Sequence, residues 1–234
     1  EKNLSFVLHL GDILDGYCPK HQSETALQCV LSHFKPLKTQ IHHVVGNHCL
    51  YNFDRSVLNQ RLGIPGLKDG SSYYTFSPVP GFRLVILDTF NIGLIGWPED
   101  SARTREAEKV LMANNINVQS KGLEKSKNDP SGMNGLKRRF VAFNGGVGSD
   151  QIDWLRGVLQ ESESKEERVL VCTHCPIYPE VCPPGVLAWD YEQVLEVVQS
   201  YTGTVVAVLS GHAHMDSQVV DGCGIHHRIP PAVL

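Results

Sequence analysis

The most informative stretch of this chain is Val208-Leu209-Ser210-Gly211-His212-Ala213-His214. The apolar run over residues 204–209 stops at Ser-Gly and is followed by two histidines, which predicts a buried strand with a functional loop at its end. Open α/β sheets carry their chemistry at the carboxyl ends of strands. Two histidines one residue apart can reach two separate points, which suits two neighbouring metal ions better than one tetrahedral ion. Alone, the pattern is also typical of ordinary polar loops.

Three other apolar runs end in the same way. They are residues 6–10 before Gly11-Asp12, residues 41–45 before Gly46-Asn47-His48, and residues 169–172 before Thr173-His174. The side chains that follow these runs offer the nitrogen and oxygen ligands that suit manganese, iron, zinc or magnesium. Four strand ends of one kind in a single chain therefore predict a metal centre.

The series GD-x-x-D, GNH, TH and GH-x-H, in this order, resembles the calcineurin-like metallophosphoesterases. The resemblance implies an α/β fold in which two mixed β-sheets pack face to face, with helices on the outside. Segments between the motifs, which are Phe143-Asn144-Gly145-Gly146, residues 174–179 and residues 187–191, resemble a manganese-dependent group of diphosphatases within this family. That resemblance implies a hydrolase with two Mn²⁺ ions that cleaves the phosphoanhydride of ADP-ribose, ADP-sugars and CDP-alcohols. Mg²⁺ or another divalent metal stays open as the native ion.

The resemblance also implies the metal ligands, which are Asp12, Asn47, His174, His212 and His214. Asp12 would bridge the two ions, because a carboxylate can present one oxygen to each. Asn47, His174 and His212 would bind the second ion, and His214 would bind the first.

His48 is predicted to be the catalytic proton donor or to stabilise charge on the phosphoryl oxygens, because histidine titrates near neutral pH and can protonate a leaving group. The alternative is a ligand or a residue that stabilises its loop. Asp15 is interpreted as a turn cap or a neighbour of a ligand. His226 and His227 match a family feature whose role the sequence does not reveal.

Aromatic residues near the motifs are candidates to stack on the base of a nucleotide. We expect this role for Tyr178, Trp189 and Tyr191, although aromatic residues at such positions are also typical of a core. Asn144 and Gly145 could offer an amide and a bare backbone N–H to a phosphate.

Two departures from the family pattern matter. Cys49 stands where the family has a glutamate, which removes an acceptor that could orient a ligand. The first family motif, Asp-x-His or Asp-x-Gln, is missing, and only eleven residues precede Asp12, whereas a β-α-β unit takes about thirty. We therefore expect a truncated chain or an isoform without its first β-α unit, in which the first ion keeps only Asp12 and His214.

Composition limits the alternatives. With 234 residues, of which 41% are hydrophobic, the chain can bury the core of one domain over residues 1–234. The net charge of −4 without a basic stripe argues against nucleic acid. Seven scattered cysteines fit a reducing compartment better than a disulfide framework. We expect a cytoplasmic monomer with a small nucleoside diphosphate substrate and no membrane partner.

Periodicity and caps predict helices at residues 23–34 with Ser23 as N-cap, 53–62 closed by Gly63, 98–114, 149–159 and 190–201. Residues 115–148 are rich in Lys, Asn, Gly and Ser and are interpreted as a surface insertion, or a lid. Two other functions stay open: a different metallophosphoesterase, acting on cyclic nucleotides or phosphomonoesters, and an inactive scaffold. A count of bound metal ions would separate enzyme from scaffold.

Overall fold

The structure is a computed structural model that describes residues 4–66 and 69–232. In these residues the strands are β1 (Phe6–His9), β2 (Gln40–His43), β3 (Tyr74–Val79), β4 (Phe82–Ile86), β5 (Arg168–Thr173), β6 (Val205–Ser210), β7 (Ser217–Val220) and β8 (His226–Ile229). The α-helices are α1 (Ser23–Phe34), α2 (Asn47–Asn52), α3 (Arg55–Leu62), α4 (Ala102–Asn114), α5 (Ile116–Lys121), α6 (Leu123–Ser126), α7 (Ser149–Ser164) and α8 (Tyr191–Ser200).

The strands form two sheets. The larger sheet has the order β3-β4-β5-β6-β8-β7, in which β3 and β7 are antiparallel edge strands and the four inner strands are parallel. The smaller sheet contains β1 and β2, which are parallel because α1 carries the chain back between them. The predicted two-sheet α/β fold is confirmed, and only the larger sheet is mixed in the described parts of the chain.

Aromatic side chains pack the two sheets together. The ring of His42 on β2 stacks on Phe76 of β3, with 3.4 Å between the ring centroids. The Tyr74 hydroxyl lies 3.1 Å from both the backbone N–H and the carbonyl of His43. These contacts bring the ends of β1 and β2 beside those of β5 and β6, so that the four predicted motifs face one another.

The predicted helix starts differ from the observed ones by up to four residues, and two of the differences have a clear local reason. Ser23 is already helical, with φ −56° and ψ −42°, because a 3₁₀ turn runs directly into α1 and makes Gln22 the N-cap. The Ser23 hydroxyl instead donates to Asn52 Oδ1 at 2.6 Å. Helix α4 begins at Ala102 and not at residue 98, because the Ser101 side chain accepts a hydrogen bond from the Thr104 backbone N–H.

The segment over residues 115–148 has more regular structure than its composition indicates. It contains α5, α6 and a short 3₁₀ helix, and the Asn115 side chain caps α5 by accepting from the N–H groups of Asn117 and Val118. Its apolar residues join a second buried cluster, made of Ile92, Ala107, Leu111, Met133, Phe140, Ala142 and Trp189. The movement of this segment as a lid stays a prediction, as do the domain bounds.

The last helices pack one apolar face on the larger sheet. Helix α7 buries Leu155 and Leu159, four residues apart, and α8 buries Val194 and Val198 with the same spacing. Among residues 4–66 and 69–232, no helix is long and apolar enough to cross a membrane.

Candidate metal centre

Four of the predicted metal ligands meet where β1, β2, β5 and β6 end. Asp12 Oδ2 lies 3.2 Å from His174 Nε2, and the same nitrogen lies 3.1 Å from Asn47 Oδ1. Asp12, His174 and His212 each offer one ligand atom, and these atoms lie within 4.8 Å of one another. The loops after four strands, far apart in sequence, therefore form one cluster.

Glycines in the motifs allow this close approach. A Cβ atom at Gly11 would lie 2.2 Å from His174 Nδ1, and one at Gly46 would lie 2.1 Å from Asp12 Oδ1. Both distances are far below van der Waals contact, so a side chain at either position would displace a member of the cluster.

The backbone at the cluster is strained. Five non-glycine residues of the described chain have positive φ, and three of them are Asp12 (56°), His212 (64°) and His214 (50°). This left-handed conformation costs about 1–3 kcal/mol per residue and is concentrated at functional sites in proteins. Two of these residues, Asp12 and His212, belong to the cluster, and His214 lies beside His48, so the strain is concentrated at this site.

The cluster brings together acceptors that need a cation. His174 Nδ1 lies 2.8 Å from the Leu10 carbonyl, which can only accept, so Nδ1 donates and a neutral ring leaves Nε2 bare. Asn47 is oriented because its Nδ2 donates to the Tyr51 hydroxyl at 3.3 Å, which turns Oδ1 toward His174. Lone pairs of His174, Asn47 and Asp12 then face one another and repel. A proton or a metal ion bound at Nε2 would remove this repulsion.

Two pKa values reflect the arrangement. Burial raises the pKa of Asp12, but the His174, His48 and His212 imidazoles lower it by more, so it lies well below its usual range. Burial lowers the pKa of His174, yet the Asp12 carboxylate and the Leu10 carbonyl raise it above the ordinary value. Both shifts describe a site that attracts positive charge.

An orphaned oxygen tests whether a divalent ion fits. Asp12 Oδ2 is buried and has no hydrogen-bond partner in the described parts of the chain, and His174 Nε2 lies 3.2 Å from it. A buried carboxylate oxygen without a partner is costly unless a cation binds it. The donor set of Asp12, Asn47, His174 and His212 therefore fits one divalent metal ion with nitrogen and oxygen ligands.

His48 lies at the rim of the cluster and has a fixed ring. Its backbone N–H donates to Asp12 Oδ1 at 2.9 Å, and its Nδ1 accepts from the Gly16 N–H at 3.0 Å. The neutral ring therefore carries its proton on Nε2, and the side chain is 25% exposed. Asp15 acts as the expected turn cap, because its Oδ1 accepts from the Tyr17 N–H at 2.7 Å.

His214 lies beside His48, not within the three-residue cluster. The two rings meet edge to face, with 6.3 Å between their centroids. Its predicted role as a ligand of the first ion stays a prediction.

Among the residues expected to bind substrate, Asn144 contacts His212 of the cluster at 2.7 Å, and the three aromatic residues pack against other side chains and backbone. Tyr178 stacks on His227, with 4.3 Å between ring centroids. Trp189 is 3% exposed and its indole N–H donates to the Val141 carbonyl, while Tyr191 is buried next to Arg139. Asn144 is also fully buried. Stacking by these rings on a nucleotide base stays a prediction. In this structure Trp189 and Tyr191 are buried, and Tyr178 is partly buried against the core.

Gly145 is surrounded by backbone. A Cβ atom there would lie 2.5 Å from the Thr89 carbonyl and 2.9 Å from the Ile92 carbonyl. Its carbonyl accepts from the Trp189 N–H at 2.8 Å. Its glycine identity is therefore explained by packing, and its contact with a phosphate stays a prediction.

Sequence reasoning missed a buried ion pair that is linked through Phe90 to the surroundings of the cluster. Arg55 Nη1 donates to Asp88 Oδ2 at 2.5 Å, and the Asp88 Oδ1 accepts from the Phe90 N–H. The Phe90 ring lies 5.9 Å from the ring of His174. The signal was present, since Asp88 follows the apolar strand β4 as Asp12 follows β1.

The chain belongs to the calcineurin-like phosphoesterase family, whose family model matches residues 1–216. It is 42% identical over 232 residues to a relative from Arabidopsis thaliana named manganese-dependent ADP-ribose/CDP-alcohol diphosphatase, covering 99% of this chain and 72% of the relative. A relative of the same name from Oryza sativa subsp. japonica is 41% identical, with coverage of 100% and 70%. A crystal structure of a dimetal phosphatase from Danio rerio superposes with a TM-score of 0.89 at 37% identity, with coverage of 97% and 72%.

Proposed function

We propose that this chain is a manganese-dependent hydrolase that cleaves the phosphoanhydride of ADP-ribose, related ADP-sugars or CDP-alcohols. The products would be a nucleoside monophosphate and a phosphorylated alcohol or sugar. The observation that carries the proposal is the identity of 42% and 41%, over nearly the whole chain, to relatives named for this activity. The converging lone pairs of Asp12, Asn47 and His174 support it independently, because they suit a metal-dependent hydrolase.

Asp12, Asn47, His174 and His212 would hold one ion of the pair, and His214 would contribute to the other. When bound, manganese would supply Lewis-acid stabilisation to phosphoryl oxygens and would activate water. The four residues keep this chemistry at the ends of four strands, where the sheet fixes their backbone. The strained backbone at Asp12 and His212 supports a role in metal binding, because the orientation of these side chains is kept at a cost in local stability.

His48 would donate a proton to the leaving oxygen. Because its Nδ1 accepts from the Gly16 N–H, the neutral ring carries its proton on Nε2. For transfer of that proton, Nδ1 would exchange the Gly16 contact for a proton from water, so that the ring stays neutral. The Asp12 carboxylate accepts from the His48 backbone N–H, which couples the position of the donor to that of the ligand. A proton donor and a metal ligand next to one another suit attack at phosphorus with departure on the opposite side.

The test is a side-by-side assay of ADP-ribose, CDP-choline, cyclic AMP and p-nitrophenyl phosphate. Protein stripped with a chelator should be inactive, and added Mn²⁺ should restore hydrolysis of the first two substrates. The Asp12→Asn variant, treated in the same way, is the control for adventitious metal in solution. Preference for cyclic AMP or p-nitrophenyl phosphate would reject the diphosphatase assignment, and loss of all four activities at full Mn²⁺ occupancy would support a scaffold.

We also infer a monomer in the reducing cytoplasm, with no nucleic-acid or membrane partner. The net charge of −4 and the seven free thiols, of which Cys49, Cys172, Cys175 and Cys182 are buried, support this inference. Light scattering after size exclusion tests the monomer, and fractionation of cells tests the compartment. A dimer mass or recovery with membranes would contradict it.

A further inference from the structure

Asn144 makes three hydrogen bonds in a fully buried position. Its Nδ2 lies 2.8 Å from the Arg139 carbonyl and 2.8 Å from the Gly185 carbonyl, and its Oδ1 lies 2.7 Å from His212 Nε2. Carbonyl oxygens only accept, so both amide protons are used and the orientation of the amide is fixed. Asn144 therefore has no free N–H for a phosphate, which argues against direct contact with substrate.

The fixed amide sets the protonation of His212. Because Asn144 Oδ1 is an acceptor, the partner nitrogen Nε2 of His212 must carry the proton. A neutral ring then has its lone pair on Nδ1. His212 is one of the three residues whose ligand atoms cluster, and its ring centroid lies 4.9 Å from that of His174. The hydrogen bond thus selects which nitrogen can bind a cation.

The loop of Asn144 is held by the segment before α8. The Trp189 backbone N–H donates to the Gly145 carbonyl. The Asp190 carboxylate accepts from the backbone N–H groups of Val147 (3.0 Å) and Gly148 (2.8 Å). The Asn144 loop and the segment before α8, in which substrate-binding residues were expected, are therefore joined by hydrogen bonds.

We propose that Asn144 is a positioning residue, which holds His212 as the Nε2–H tautomer so that Nδ1 is available to the metal ion. This inference rests on the proposed metal-dependent function of the same site. A ligand histidine whose other nitrogen bonds an acceptor keeps its tautomer and ring orientation, and loss of such an acceptor lowers metal affinity by on the order of 10- to 100-fold.

The test compares three variants for Mn²⁺ affinity, measured by calorimetry without substrate. Asn144→Ala should raise the Kd for Mn²⁺ by on the order of 10- to 100-fold. Asn144→Asp keeps an acceptor for His212 but loses both donors to carbonyls, so its affinity should stay close to that of the original protein. Asp190→Asn perturbs the same loop without contacting His212 and should change the affinity far less than Asn144→Ala.

If Asn144 has only a structural role, the three variants should weaken Mn²⁺ binding equally, so that Asn144→Asp and Asp190→Asn raise the Kd as much as Asn144→Ala does. That result would overturn the proposal. If Asn144→Ala fails to fold, nitrogen NMR of the His212 ring in metal-free original protein decides the question. A proton on Nε2 supports the proposal, and a proton on Nδ1 overturns it. Neither readout uses turnover, so an inactive protein would reject the diphosphatase assignment alone.

Discussion

Asp12 and His48 are joined by one hydrogen bond, yet we expect substitution of Asp12 to lower metal content and substitution of His48 to lower turnover. The Asp12 carboxylate has an orphaned oxygen that faces His174, whereas the His48 ring is held by Gly16 at the rim. One residue is built to hold a cation and the other to present a proton. Their roles can therefore be separated by measuring metal content and turnover on the same samples.

His48→Ala should lower kcat by on the order of 10²- to 10⁴-fold while bound Mn²⁺ stays nearly unchanged, because a proton donor is lost and no ligand is removed. Asp12→Ala and His212→Ala should lower the metal content itself. Metal analysis after dialysis and initial rates at saturating Mn²⁺ are the measurements, with exposed His33→Ala as the control. If His48→Ala loses as much metal as Asp12→Ala, the donor role is wrong.

Gly46→Ala should abolish Mn²⁺ binding, because its Cβ would lie 2.1 Å from Asp12 Oδ1. Gly157→Ala is the matched control, since Gly157 lies in α7 and a Cβ there meets no atom within 4 Å. The control should gain about 0.5–1 kcal/mol in the free energy of unfolding, because alanine suits a helix better than glycine. Urea unfolding and Mn²⁺ titration measure both effects. Normal Mn²⁺ binding by Gly46→Ala would contradict the described packing.

At the residue scale, the sequence predicted side chains whose direction follows from the strand before them. Asp12, Asn47 and His174 meet because parallel strands end at one edge of the fold. Trp189 could not be interpreted in this way, since its burial depends on a contact with residues of the distant segment 115–148. The same limit applies to the hydrogen bond between Asn144 and His212.

At the scale of the element, the small sheet brings two histidines into contact, of which His43 is buried. His9 Nδ1 on β1 lies 3.5 Å from His43 Nδ1 on β2, so the two rings cannot both carry a charge without repulsion. Burial first, and then the neighbouring His9 and His42, lower the pKa of His43 to about 3. The two-stranded sheet should therefore be the acid-sensitive element of the fold.

The direction in which stability changes with pH follows from proton uptake by the unfolded chain. An unfolded histidine titrates near pH 6.5, so between about pH 6.5 and 3 the unfolded chain binds a proton at His43 that the folded chain does not. Stability is fully present above pH 6.5 and should fall with decreasing pH, by up to about 1.4 kcal/mol per pH unit for this group. His43→Gln should make the fall shallower in urea unfolding of metal-free protein between pH 7.5 and 5. His33→Gln, on an exposed residue of α1, should leave the slope unchanged, and equal slopes in both variants would contradict the prediction.

Long elements could be predicted and short ones could not. Helices α1 and α7 have twelve and sixteen residues, enough for a repeated apolar face, and both were predicted. Helices α2 and α5 have six residues each, which is less than two turns, and depend on neighbouring contacts. Asn47 therefore lies in the first turn of a helix where a loop was expected.

At the scale of the whole molecule, a buried ion pair connects parts that are distant in sequence. Arg55 on α3 and Asp88 after β4 have side chains 3% and 0% exposed, and the Arg55 guanidinium also lies 4.2 Å from the ring of Trp97. Removal of one partner leaves the other as an uncompensated charge in the core. This pair should matter far more to stability than any ion pair on the surface.

Arg55→Met should lower the free energy of unfolding by about 3–5 kcal/mol, because Asp88 stays buried without its partner. Arg61→Ala is the control, since Arg61 and Glu24 form a pair of similar geometry at 2.9 Å with side chains 50% and 42% exposed. That change should be worth about 0–1 kcal/mol. Chemical denaturation of both variants measures the difference, and equal losses would show that burial does not control the strength of this pair.

The two-sheet architecture could be predicted because the series of motifs resembles a family with that fold. The sequence did not reveal how the Asn144 loop and the segment before α8 interlock, because that contact depends on residues about forty positions apart. The interpretation of these segments as substrate-binding followed from the aromatic, amide and glycine residues that lie near the motifs in the sequence.

The distance in sequence between the ligands has a consequence for folding. Asn47 and His174 are 127 residues apart, so the unfolded chain cannot hold a metal ion with both. Binding is then coupled to the native state, and free Mn²⁺ at a hundredfold excess over its Kd should add about 2.7 kcal/mol to stability. Saturating Mn²⁺ should slow digestion by a protease at sites throughout the chain, and protection limited to the loops around the cluster would contradict this. The ion would thus act as a reporter of complete folding, retained only while the chain is intact from its first strand to its sixth.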